Sequence, residues 1–180
     1  MPAFLSVLLE QHKVYQDFIN NPPSLDDLEP ESIIRLNQNQ IDPLYISTLF
    51  AAMFLEAYIY DYGARKKSAS YIDNYIDKID PPSKWVVITQ LFNSSGIDPS
   101  TQAYQRLKAL FGYRNSLAHN KSKAVSGPND ISQMAPKLFK PYECLEIISM
   151  VMTELKKIDP EEIYAEIVID QISAVRKAYQ

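Results

Sequence analysis

The sequence predicts an all-α, single-domain helical bundle. Three observations point there. Glycine occurs only 4 times in 180 residues, and Val and Thr are sparse beside Leu, Ile, Ala, Glu and Lys, which favours helices over strands. Apolar residues recur at helical spacing through most of the chain. Prolines and capping residues divide it into segments of helix length. A chain of 180 residues is long enough for a substantial core, and its linkers are too short for a second domain. The expected organisation is an N-terminal helical extension over residues 1–40, a core over 42–160 and a C-terminal helix over 161–180.

Ala3 to Ile19 reads as the first amphipathic helix, with Phe4, Val7, Leu8, Val14, Tyr15 and Phe18 near helical spacing. Asn20-Asn21-Pro22-Pro23 stops it, because proline lacks the amide donor and clashes with the preceding turn. Two short helical pieces are expected at Ser24 and at Pro30, with Asn37 to Gln40 as a polar connector. Asp42-Pro43 has the form of a helix start, an N-cap carboxylate followed by proline at the first helical position. The helix it opens runs through Leu49, Phe50, Phe54 and Tyr58 to Tyr62, with Gly63 just past its end and Arg65, Lys66 and Lys67 near its negative pole. It is apolar nearly all round, so it is expected at the centre. Glu56 in it either reaches solvent, pairs with an Arg or serves a site.

Ser70 to Ile79 is a weaker helix. Asp80-Pro81-Pro82-Ser83 opens the next, which carries Trp85, Val86, Ile88, Leu91 and Phe92; Trp85 is read as core rather than as a platform for a base. Ser100 is expected to cap a helix of about 20 residues through Leu107, Leu110, Phe111, Arg114 and Leu117. Lys121 to Asn129, with Ser126-Gly127-Pro128, is the most loop-like segment. Tyr142 to Lys157 and Glu161 to Tyr179 complete the bundle, separated by Asp159-Pro160.

The net charge of −4 excludes a polycation that binds nucleic acid by bulk charge. Its distribution is uneven: residues 1–63 sum to −7, residues 64–129 to +6 and residues 130–180 to −3. A basic middle either binds a polyanion locally or is neutralised by the acidic helices. Cys144 stands alone, so neither an internal disulfide nor a cysteine zinc site is available, and a reducing, cytoplasmic setting is the simplest expectation. Phe4 to Leu9 lacks the basic flank of a signal peptide. No continuous apolar run approaches the roughly 18 residues of a membrane helix.

Arg114-Asn115-Ser116-Leu117-Ala118-His119 concentrates the chemistry. It contains one of only 2 histidines. The segment from Pro99 to Asn129 holds Arg106, Lys108, Arg114, Lys121 and Lys123 and no carboxylate, so these cations are candidates for holding an RNA backbone. Asn115 and His119 are four residues apart and share a helix face. Arg114 and His119 lie about 140° apart around a straight helix. They meet one substrate only if the Arg curls round, the helix ends near His119, or a second copy faces the first. The residue types suit metal-independent RNA cleavage. A histidine serves as general acid or base, an Arg neutralises charge on the phosphate, and the RNA 2′-OH is the nucleophile. The bland reading is that Arg114 pairs with Glu56 or another acid and that His119 caps the helix. No metal-ligand spacing, phosphate-cradling loop or dinucleotide fingerprint occurs, and no cofactor is implied.

The six residues resemble the signature of the HEPN superfamily, small all-α domains whose motif is Arg, a polar residue, three variable residues and His. Asn115 fills the polar slot. The element order over roughly residues 42–160 is also similar; the resemblance does not extend to the first 40 residues. The resemblance implies metal-independent endoribonuclease activity, a homodimer whose two motifs line one cleft, and products with a 2′,3′-cyclic phosphate. It implies roles in toxin–antitoxin, antiphage or RNA-processing systems, with RNA and an antitoxin or other protein as partners. Carried over residue by residue, His119 is the general acid/base, Arg114 the phosphate ligand and Asn115 the polar helper. Glu56 stands for the acidic residue that some members supply from a preceding helix. Other members bind nucleotides or proteins and cut nothing.

Overall fold

The computed structural model describes residues 2–22, 30–118 and 138–178. Among these, every regular element is a helix: α1 (Pro2–Asn20), α2 (Pro30–Lys66), α3 (Ala69–Tyr75), α4 (Pro81–Phe92), α5 (Gln102–Ala118), α6 (Pro141–Ile158) and α7 (Ile163–Ala178). The all-α class expected from composition and spacing is therefore observed. His119, Lys121, Lys123 and the whole 121–129 segment lie outside the described residues, as do the expected helical piece at Ser24 and the chain's last two residues.

α2 is the axis of the molecule. It packs against α1, α3, α4, α5 and α6, and α7 lies on α6. Ala51, Ala52, Phe54, Leu55, Tyr58, Ile59 and Tyr62 are buried along it, so the helix presents a wide apolar face to its neighbours. Trp85 is fully buried and stacked on Tyr58, with centroids 6.0 Å apart and planes at 13°, which makes it a core residue. Cys144 is also buried, and burial pushes its thiol far above the ordinary range.

Two expected boundaries on α2 are corrected. Asp42-Pro43 does not start a helix. The helix begins at Pro30 and runs through Pro43, and the residues 37–40 expected as a connector are helical. An interior proline costs about 3 kcal/mol. Here it is offset by burial, since Pro43, Ser47 and Thr48 all sit inside the fold and α1 packs on this helix. Gly63 does not follow the helix end but lies within the last turns, which continue to Lys66. A Cβ at Gly63 would stand 2.8 Å from Ile72 Cδ1 and 3.2 Å from Ile88 Cγ2. The glycine is there because α3 and α4 come close, not because the chain turns.

Other boundaries shift by a few residues. α3 ends at Tyr75, short of Ile79, and Ser68 caps it by accepting from the Tyr71 amide at 3.1 Å. Asp80 caps α4 as expected, accepting from the Ser83 amide at 3.0 Å. On α5 the hydroxyl that accepts a first-turn amide is Thr101, from Tyr104 at 3.3 Å, rather than Ser100, which bonds back to Asp98. α7 begins at Ile163, two residues later than expected, because Asp159 and Glu162 turn inward.

Those two carboxylates tie the α6–α7 turn to α2. Tyr58 Oη donates to Glu162 Oε1 at 2.8 Å, and Arg65 Nη2 donates to the same oxygen at 2.7 Å. Tyr62 Oη donates to Asp159 Oδ2 at 2.9 Å, and Lys66 Nζ stands 2.7 Å from that oxygen. Burial first, then Glu162, holds the Tyr58 hydroxyl protonated far above its ordinary range. Burial alone would raise the Asp159 carboxyl, but the bonds from Lys66 and Tyr62 outweigh it and hold the group below its ordinary value.

Gln40–Lys66 is long and apolar enough to cross a membrane by length and average composition, although Glu56 and Asp61 interrupt its apolar run. Half of its most apolar window is buried inside the fold, as in the core helix of a bundle.

Candidate functional site

α5 carries Arg114 and Asn115 in its last turn and a half and remains helical through Ala118, the residue before His119. The outward stripe of α5 is Gln105, Lys108, Gly112 and Asn115, all exposed. Leu107, Leu110 and Phe111 are buried on the opposite side and fix the helix rotation. Arg114 continues the stripe of Leu107, Leu110 and Phe111 near the end of the helix, with 31% of its side chain exposed. Its Nη1 donates to Asn115 Oδ1 at 3.0 Å, and its Nη2 donates to Glu56 Oε2 on α2 at 3.3 Å. Three of the four residues proposed for chemistry therefore meet at one place. The fourth, His119, is not described.

Glu56 has a second cation beside it. Lys84 Nζ on α4 lies 3.9 Å from Glu56 Oε1, so each carboxylate oxygen faces its own cation. Lys84 is 4% exposed, a depth at which a lysine needs a partner. Its closer partner is Asp77 Oδ1 at 2.8 Å, from the turn before α4. The result is a row, Asp77–Lys84–Glu56–Arg114–Asn115, that alternates in charge and ends at an exposed amide. Glu56 was legible as a carboxylate on an apolar helix, and its pairing with Arg114 is one of the alternatives its position allowed. Lys84 and Asp77 were not singled out. A signal existed: Lys84 precedes the buried Ile88 by four residues, so it shares the inward face of α4.

The remaining proposed cations separate. Arg106 points to the other flank of α5. Its Nη2 lies 3.5 Å from Glu146 and 4.0 Å from Glu143 on α6, and its guanidinium lies over the Phe139 ring at 5.4 Å. It does not join Arg114. Lys108 is exposed on the outward stripe and forms no ion pair with a described residue. Several cations of the basic middle are thus paired within the described residues. Arg65 and Lys66 pair with the C-terminal acidic block, Arg106 pairs with the same block, and Arg114 pairs with the N-terminal one.

Among the described residues, no group of three His, Cys, Asp or Glu side chains is placed to hold a metal ion. Chemically, the row offers one guanidinium with unused donors, one amide and one carboxylate at the solvent boundary. A guanidinium and an amide are groups able to donate planar hydrogen bonds to an oxyanion, while the Glu56 carboxylate competes with one for the guanidinium. Comparison with family models, curated proteins and solved structures returned no match.

Proposed function

We propose that this chain is a HEPN-like, homodimeric, metal-independent endoribonuclease acting as a toxin or defence effector. The observation that carries the reading is the meeting of Arg114 and Asn115, from the Arg-Asn-Ser-Leu-Ala-His motif, with Glu56 of the preceding apolar helix. In the proposed reaction His119 takes the 2′-OH proton and the 2′-oxygen attacks the adjacent phosphorus. Arg114 neutralises the charge that builds on the phosphoryl oxygens. The P–O5′ bond breaks, the leaving oxygen takes a proton, and a 2′,3′-cyclic phosphate remains. Asn115 accepts from Arg114 and so holds one side of the guanidinium.

The test is incubation of purified protein with mixed RNA in EDTA. Cleavage with cyclic-phosphate ends is expected from the unaltered protein. His119→Ala and Arg114→Ala should each reduce the rate by about 10²–10⁴-fold with helix content unchanged. Equal cleavage by all three proteins would remove the motif from the chemistry.

A second reading is a non-catalytic helical module that binds a partner protein or a nucleotide. Ile163, Tyr164 and Ile167 are exposed at the start of α7, beside a cavity of about 360 Å³ floored by Phe54 and Tyr58. A function that survives the Arg114→Ala/His119→Ala double change, together with a stable co-purifying partner, would favour it.

A further inference from the structure

Arg114 cannot give its full charge to a phosphate while Glu56 holds it. A phosphate that takes the Glu56-facing nitrogen displaces a carboxylate one-third exposed, and the cost of that displacement depends on where the carboxylate goes. The structure supplies a destination. Glu56 Oε1 is already 3.9 Å from Lys84 Nζ, about 1 Å beyond an ion-pair hydrogen bond. Lys84 is anchored by Asp77, whose own side chain is 54% exposed and so less dependent on that contact.

Resting on the reading of Arg114 as a phosphate ligand, we infer that Lys84 is a positioning residue that receives Glu56 when an anion engages Arg114. At rest, Glu56 closes the site by occupying the guanidinium. On binding, its carboxylate shifts to Lys84, Arg114 is freed for the phosphate, and Lys84 exchanges part of its bond to Asp77 for Glu56. Each charge keeps an opposite partner in both states, so no buried group is left uncompensated. No covalent step is involved. The exchange sets the affinity of the site for any phosphodiester.

The experiment measures the Kd of a fluorescein-labelled 2′-deoxy oligonucleotide, which lacks the 2′-OH nucleophile, by anisotropy at fixed ionic strength. Arg114→Ala should weaken binding. Lys84→Met should weaken it about fivefold, because Glu56 then has Arg114 as its remaining cation. Asp77→Asn should act in the opposite direction, tightening binding about threefold, because Lys84 turns to Glu56. Asp77 is exposed, so this variant keeps the test open if Lys84→Met fails to fold. In a Glu56→Gln background binding should be tighter, and the effects of both changes should vanish. That last comparison separates exchange from net charge. If Lys84→Met and Asp77→Asn shift Kd equally with and without Glu56, long-range charge is the cause and the exchange is overturned. If Arg114→Ala weakens binding but neither change moves Kd, the exchange fails while the phosphate role of Arg114 stands. If Arg114→Ala leaves binding intact, the phosphate role fails and the exchange fails with it.

Discussion

His12 sits on α1 with 3% of its surface exposed. Burial, and then the Arg176 charge from α7, pushes its imidazole below the ordinary value of 6.5. The unfolded chain therefore binds a proton at a pH where the fold does not. The stability contribution is full above about 6.5 and is lost as pH falls through the lowered folded-state value. Urea melts at pH 7.5 and pH 5.0 should show a lower midpoint in acid, and His12→Gln should narrow the difference. An unchanged difference would assign the acid loss to the carboxylates instead. At this scale the sequence was uneven. Glu56 and Arg114 stood out because a charge on an apolar stripe requires a partner. Lys84 did not, because one lysine beside Asp80-Pro81-Pro82-Ser83 looks like an ordinary first-turn residue until its face is known.

Elements were legible where local chemistry decides them and illegible where tertiary contact overrides it. Asp80-Pro81 starts a helix because its cap and proline suffice. Asp42-Pro43 carries the same signal but lies inside α2, because burial outweighs the local preference. Gly63 has the sequence signature of a helix end but is a point of close approach. The two helical glycines of α2 and α5 consequently predict opposite outcomes. Gly63→Ala forces a methyl against Ile72 and Ile88 and should destabilise by about 1–3 kcal/mol. Gly112→Ala meets nothing within 4 Å and should stabilise by about 0.5–1 kcal/mol through helix propensity. Paired thermal melts test both; a destabilised Gly112→Ala would show that something approaches that face.

For the whole molecule, the sequence announced its class and its charge blocks but not how the blocks dispose of one another. Both dispositions were open, a local polyanion site or mutual neutralisation. Among the described residues the fold shows the second for Arg65, Lys66, Lys84, Arg106 and Arg114, which all face carboxylates from other elements. Such pairing cannot be read from a linear charge count, because it depends on which flank of α5 meets α6 and which meets α2. The exposed cation left near the site on the described part of α5 is Lys108. If RNA lies along that stripe, Lys108→Gln should weaken binding alike for all sequences. It should also reduce the magnitude of the log K against log salt slope by about 0.7. An unchanged slope would move the RNA path off α5.

The proline within α2 has a consequence for how the molecule comes apart. Pro43 offers no amide, so the carbonyl of Asn39 has no ladder partner and the helix is broken as a cooperative unit though not as a shape. The segment after the break is fastened by Tyr58 and Tyr62 to the α6–α7 turn and by Glu56 to α4 and α5. The candidate site stands beyond that missing bond, on the part of α2 expected to open late.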